Sequence, residues 1–263
     1  IFAAIDDPRN YTELIIAARL AGVQTFALQH GHFTKYHAGW LRKVEGIVAA
    51  PETLFVWSEY WRDELIRLGT YFKKEEIKVA GIPRELPSVF KSEKRDTMGV
   101  LIPYETVCRK QEVALYIKAL ASSGVTVFFK VRPDMDSSLQ LGEYGFNKEA
   151  LPPGVVPISE IEPFLSKIDV ALGTYSTLLY DMLAYGIPVA IMKTSSDYGE
   201  GMVQNGVAEF LDIGDTDLLQ SLKHLSAVSL AERLRRRRRV FGEDPKLLHK
   251  TLIEVIQTSL SAQ

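Results

Sequence analysis

The chain has 263 residues, 46% hydrophobic and 24% charged, with a formal net charge of −2; that length suffices for one large core or two ordinary ones. So small a net charge excludes a general attraction to nucleic acid. No apolar run reaches bilayer-spanning length, and the single Cys108 excludes an internal disulfide framework or a cysteine–zinc cluster and points to the cytoplasm as a reducing compartment.

Residues 1–6 read as a strand with no lead-in and no leader-like pattern, so further residues are expected upstream of Ile1. Residues 10–20 carry an Asn10 cap, Glu13 three positions later, apolar Leu14, Ile15 and Ala18, and Gly22 as terminator. They are an amphipathic helix. Residues 23–28 return as a strand whose carboxyl end runs into Gln29, His30, Gly31, His32 and then Lys35, the usual place for a site beside a parallel strand. His30 suits a general base, since an imidazole titrates near neutrality. It suits equally well a histidine bonded to its own loop. A metal centre would want carboxylate or cysteine partners, which this segment lacks.

A third strand falls at 54–57, Ser58 is placed to cap a helix ending at Gly69, and a fourth strand covers 77–80. Prolines 83 and 87 and the charge run 91–96 mark a linker at 86–97, separating a domain at 1–85 from one at 98–228. The alternation then restarts with strand 99–102, helix 106–121, strands 125–131 and 155–158 and a short helix at 160–165. Such alternation in both halves predicts an α/β fold of two Rossmann-like domains facing across a cleft, the first short of strands.

The stretch 168–191 organises the second half: a buried strand ends at Gly173, Ser176 and Thr177 open a helix, Gly186 closes it, and 189–191 begins another strand. A helix start offers N–H groups and a positive dipole end to a phosphate. Ser176 is equally placed merely to cap that helix. Thr177 and Asp181 lie one turn apart on one face. Lys130 and Arg132 alternate at another strand end and so share a side, suiting a diphosphate. Asp134 and Asp136 match a three-letter metal-holding pattern, but Pro133 and the flanking cations are a poor setting for it. Residues 229–263 form terminal helices packing back towards the first domain. Arg233 and Arg235 to Arg239 read as a solvated helix pairing with local acids or, more sharply, as a contact for an anionic membrane at about 1 kcal/mol per cation.

Several segments together resemble a family: Gln29 to Gly39, Trp57 to Trp61, Gly81 to Arg84, Gly173 to Asp181 and Gly186 to Val189. They are similar to GT-B transferases of bacterial surface polymers, nearest to the CDP-glycerol glycerophosphotransferases of teichoic-acid synthesis and the capsule Kdo-type transferases. The resemblance implies His30 as base and Tyr175, Ser176 and Thr177 as donor-phosphate ligands, followed by Asp181. The family's His-Pro pair is replaced by Arg132-Pro133, where arginine could neutralise the same charge.

The resulting expectation is a glycosyltransferase, or glycerophosphotransferase-like enzyme, moving a sugar or sugar-like group from a nucleotide-activated donor to a polysaccharide or lipid-linked acceptor. It would need no metal or other cofactor and would work in the cytoplasm at the inner face of the membrane. Lys130, Arg132, Tyr175, Ser176, Thr177 and Asp181 would hold the donor phosphates, His30 would serve the acceptor, and Asp6, His32, Lys35, Arg84 and Glu105 are further cleft candidates. One alternative is a non-hydrolysing UDP-N-acetylhexosamine 2-epimerase, for which Asp6, Asp7 and Glu105 are the carboxylate candidates. Another is a non-catalytic nucleotide-sugar-binding module of a larger assembly.

Overall fold

The alternation of apolar runs and amphipathic stretches is realised as two parallel sheets in the computed structural model, which describes residues 2–4, 12–35, 38–41, 50–82, 85–89, 96–196, 198–215, 217–242 and 247–261. One unit comprises residues 1–86 and 238–263, the other residues 87–237.

In the first unit β1 (Phe2–Ala4), β2 (Phe26–Leu28), β3 (Thr53–Val56) and β4 (Ile77–Val79) pair in that order, all parallel. Between them lie α1 (Thr12–Leu20), α2 (Ala38–Leu41) and α3 (Glu59–Arg67). Helix α1 buries Ile15 and Ala18. Leu14, expected on the same stripe, is 46% exposed; it sits about 100° around the axis from Ile15 and misses the buried line. Ser58 likewise departs from its expected role. It makes no side-chain bond to the start of α3 and instead gives its hydroxyl to the carbonyls of Arg239 and Val240, at 2.9 and 2.8 Å.

Those carbonyls belong to the end of α9 (Leu230–Phe241), which is followed by α10 (Leu247–Ser261). The ring of Phe241 stacks on Trp57 at 5.9 Å. Leu252 and Val255 of α10 pack on Phe26, Phe55 and Ala80. The carboxyl-terminal segment thus completes the core of the first unit.

The second unit holds β5 (Gly99–Pro103), β6 (Thr126–Lys130), β7 (Val155–Ile158), β8 (Val170–Gly173), β9 (Val189–Met192) and β10 (Glu209–Leu211). Its helices are α4 (Lys110–Ser122), α5 (Ser137–Glu143), α6 (Thr177–Ala184), α7 (Glu200–Gln204), α8 (Leu218–Ser226) and the first part of α9. The six strands are parallel in the order β10-β9-β8-β5-β6-β7. From β5 the chain builds outward to β6 and β7, then returns to build β8, β9 and β10 on the other side. The winding therefore reverses between β5 and β8, and ligands of doubly wound sheets sit outside the carboxyl ends of the strands at such a reversal.

Strands buried on both faces must be apolar throughout, which is why Val100, Ile102, Val127, Phe129, Val170 and Leu172 form the centre of the core. Gly99 is forced by the packing at the start of β5, where an added Cβ would lie 1.8 Å from the carbonyl oxygen of Lys167. Strand β10 and helices α2, α5 and α7 have no counterpart in the sequence reading. Helix α4 begins at Lys110, four residues later than expected, because the preceding residues are held in a loop described below. The expected helix at 160–165 is a 3-10 segment, Glu162–Lys167. Among the described residues no helix is long and apolar enough to cross a membrane.

Candidate functional site

At the reversal of the second unit, the carboxyl ends of β5 and β8 are joined by one side chain. Glu105, two residues past β5, is 4% exposed. Its Oε1 accepts the backbone N–H groups of Thr174, Tyr175 and Ser176, each at 2.9 Å, and its Oε2 accepts the Thr174 hydroxyl. The segment leading into α6 therefore delivers its donors to a carboxyl from the neighbouring loop. Gly173 makes the approach feasible, since a Cβ there would lie 2.9 Å from Oε1 and 3.3 Å from the Leu179 methyls. Burial pushes the Glu105 pKa upward, and the bonds from the Thr174 hydroxyl and the three N–H groups pull against it.

The loop between β5 and α4 is fastened at further points. The hydroxyl of Tyr175 accepts the N–H of Val107 at 2.9 Å and contacts the Thr106 hydroxyl at 3.1 Å. The Glu105 N–H donates to the hydroxyl of Tyr144 at 3.1 Å. Lys110 donates to the Glu105 carbonyl at 2.6 Å, pairs with Glu143 at 2.7 Å and lies 3.9 Å from the centre of the Tyr104 ring. The Tyr104 hydroxyl also donates to Glu143 at 2.8 Å; burial and that carboxylate push its pKa up to about 12. These bonds keep residues 106–109 out of the helix expected at 106–121.

The sequence-derived phosphate candidates lie on the end of β6 and on the segment that opens α6, next to β5 in the sheet order. Ser176 is the N-cap of α6, its Oγ accepting the N–H of Leu178 at 3.3 Å. Thr177 is exposed and Asp181 half-buried on the same helix. Lys130 is half-buried at the end of β6 and donates to the Val131 carbonyl at 2.6 Å, and burial lowers its pKa. Arg132 is exposed and forks onto Asp134 at 3.1 and 2.9 Å. Asp136 caps α5 by accepting from Ser138 and Leu139. The two carboxylates of the three-letter pattern are thus engaged with an arginine and a helix start.

Residues that the sequence reading did not single out hold the edge in place. The side chain of Gln140, fully buried, accepts the Arg132 N–H at 2.7 Å and donates to the carbonyls of Arg132 and Met135. Glu112 of α4 accepts the N–H and hydroxyl of Ser195, at 2.7 and 2.5 Å, and so anchors the loop after β9. In that loop Tyr198 lies against Tyr175, with ring centres 5.2 Å apart. The roles of Glu112 and Tyr198 appear only in the fold, because their partners lie far along the chain, whereas Gln140 closes a local turn with Arg132 and Met135.

In the first unit the turn after β2 is built by Gln29, 2% exposed. Its Oε1 accepts the N–H of Trp57 at 2.9 Å, its Nε2 donates to the Gly31 carbonyl at 2.8 Å, and its own carbonyl accepts the Trp57 indole N–H at 3.0 Å. His30 and Lys35 are exposed and His32 is half-buried. Phe33 turns inward, 5.8 Å from the rings of both Trp40 and Trp61. Asp6, Asp7 and Arg84 lie outside the described residues.

The arginine run of α9 does not form one patch. Arg233 donates to the carbonyls of Val228 and Ser226. Arg235 and Arg236 share Glu232, and Arg236, 8% exposed, also pairs with Glu209 at 2.8 Å. The two arginines hold the Glu232 pKa down to about 2. Arg235, Arg238 and Arg239 are exposed.

No protein-family model and no curated protein sequence matches the chain. Solved structures do. The chain superimposes on the glycotransferase of kitacinnamycin with a TM-score of 0.58 at 15% identity, covering 94% of this chain and 74% of that one. On the lipopolysaccharide outer core galactosyltransferase WaaB the TM-score is 0.54 at 15% identity, covering 98% and 75%. On the UDP-GlcNAc 2-epimerase of Methanocaldococcus jannaschii, solved with UDP-GlcNAc and UDP, it is 0.56 at 13% identity, covering 92% and 72%. At these identities the likeness establishes the fold, an α/β chain of two Rossmann-like units of the GT-B type.

Proposed function

We propose that this chain is a glycosyltransferase, or a close glycerophosphotransferase-like relative, that takes its group from a nucleotide-activated donor and adds it to a polysaccharide or lipid-linked acceptor. The observation that carries this reading is the cluster at the reversal of the second unit. Hydroxyls, aromatic rings and two cations lie on the segments that follow four adjacent strands, β9, β8, β5 and β6, at the end of a doubly wound sheet where a nucleotide is received. The fold shared with glycosyltransferases supports it.

In this reading the donor diphosphate is held by side chains, the hydroxyls of Ser176 and Thr177 and the cations of Lys130 and Arg132, with Tyr175 and Asp181 close by on the same segment. For a sugar donor, the acceptor oxygen bonds to the sugar as the bond from the sugar to the terminal phosphate breaks, and negative charge grows on the leaving nucleoside diphosphate. For a glycerophosphate donor, the acceptor oxygen bonds to the terminal phosphorus as the phosphoanhydride breaks, and the charge grows on the leaving nucleoside monophosphate. In both, fixed cations lower the barrier by neutralising it. In the first unit, His30 takes the proton of the attacking acceptor hydroxyl. A lipid-linked acceptor would bring the chain to a membrane surface, where Arg235, Arg238 and Arg239 are exposed cations of the arginine run.

The test is isothermal titration with CMP, CDP, UDP and GDP. At least one should bind; failure of all four would sink the reading. The fold likeness to the UDP-GlcNAc 2-epimerase supports a second reading. It would show itself as UDP release with an epimerised sugar in the absence of any acceptor. The buried, fully engaged Glu105 counts against it, because that carboxyl was one of its candidates for proton transfer.

A further inference from the structure

We propose that Glu105 is a positioning residue that permanently fills the α6 N-terminal seat with its own carboxyl, so that no donor phosphate enters it and external phosphate is held by the side chains around its rim. The inference deepens the nucleotide-donor reading where it concerns the donor, but the seat itself is defined by the structure alone. Three observations carry it. The N–H groups of Thr174, Tyr175 and Ser176 converge on one oxygen of a side chain that is 4% exposed. Gly173 leaves a space matched to that carboxyl and too small for a methyl group without a shift. The loop that carries Glu105 is fastened on its other side by Tyr144, Lys110 and the hydroxyl of Tyr175.

Converging backbone N–H groups at a helix start are the donors an external phosphate would use. Here they are already satisfied, and displacing the carboxyl would strip it of its donors while it is enclosed by the fold, which is costly. The clamp also has a positional effect. Through residues 105–107 and 174–176 it fixes Tyr175, and with it the face that Tyr175 presents beside Tyr198. Glu105 thus acts on the donor through Tyr175 and Ser176, without touching it.

The experiment uses inorganic pyrophosphate as the probe, titrated into the intact wild-type chain, Glu105→Ala and Glu105→Gln. Removing the carboxyl frees the N–H groups, so Glu105→Ala should bind pyrophosphate about tenfold more tightly than the wild type. Glu105→Gln keeps an acceptor oxygen in the seat and should show no such gain. Equal pyrophosphate affinity for wild type and a folded Glu105→Ala would overturn the proposal. Should Glu105→Ala fail to fold, the wild type decides: at saturation with pyrophosphate, scalar couplings across the hydrogen bonds from the amides of Thr174, Tyr175 and Ser176 to the Glu105 carboxyl should persist, even if the amide resonances shift because a charge is bound at the rim. Replacement of those couplings by couplings to phosphorus would show that phosphate displaces the carboxyl, and would overturn the proposal. The functional reading fails separately. If no nucleotide binds the wild type while Glu105→Ala still gains pyrophosphate affinity, the seat assignment stands and the donor reading falls.

Discussion

The turn after β5 in the second unit and the turn after β2 in the first answer one need, an ordered loop at the carboxyl end of a parallel strand, with different side chains. In the second unit an ionisable group, Glu105, is drawn under the neighbouring helix start and does the fastening. In the first unit a neutral amide, Gln29, fastens the loop, and the ionisable His30 beside it stays exposed. The difference teaches that a titratable residue at a strand end is a candidate for chemistry only when something else holds the backbone. Where the titratable residue is itself the fastener, its chemistry is used up in the fold.

The largest effect should come from breaking the second-unit fastener. Glu105→Leu leaves buried N–H groups and a hydroxyl without an acceptor, and should cost about 3 to 5 kcal/mol of stability in urea unfolding. Glu105→Gln, which retains one acceptor, should cost clearly less; equal losses would mean that packing rather than hydrogen bonding sets the value. Breaking the first-unit fastener with Gln29→Leu should cost about 2 to 3 kcal/mol, since two side-chain bonds to the backbone are lost.

His30→Ala sharpens the comparison from the other side. The His30 side chain is exposed and is not a partner in the bonds that Gln29 makes to Trp57 and Gly31, so the substitution should change stability by no more than about 0.5 kcal/mol. In the proposed role its loss should nonetheless slow turnover about 10²- to 10⁴-fold with nucleotide affinity unchanged. A large loss of stability with near-normal turnover would reverse the assignment.

The same contrast explains what could be read from the sequence. Both parallel sheets were legible because fully buried strands such as 100–102 and 170–172 are unbroken apolar runs between Gly and helix signals. The helix opening at Ser176 and closing at Gly186 followed from its cap and terminator. Ser58 was misjudged, and the fastening bonds of Glu105 were not legible although the residue itself was a cleft candidate, for one reason: each is bonded to groups that only the fold brings near, 181 positions away for Ser58 and 69 for Glu105 and Thr174. Strand β10 was missed because it is short and its Phe210 is 46% exposed, leaving no apolar run to recognise.

Smaller effects test the electrostatics away from the fasteners. Arg235 and Arg236 hold the Glu232 pKa down to about 2 from an ordinary 4.5. A depressed carboxylate contributes its stability above its unfolded value, and that contribution is lost as pH falls from 4.5 through 2. Glu232→Gln should therefore flatten this part of the acid limb in unfolding curves measured at pH 5, 4 and 3. Smallest of all, Arg132→Ala removes an exposed pair with Asp134 and should change stability by no more than about 1 kcal/mol. In the proposed donor role it should still weaken nucleoside diphosphate binding about tenfold.

The central claim, that a nucleotide-activated donor sits at the strand reversal of the second unit, is tested most directly by amide hydrogen exchange on the intact chain. Exchange should be followed with and without saturating amounts of whichever nucleotide binds in the titration. The account predicts slowed exchange in the loops at 104–109, 131–136 and 193–196, the segments that surround the Glu105 fastener. Slowing confined to other parts of the chain, with these loops exchanging as before, would contradict it.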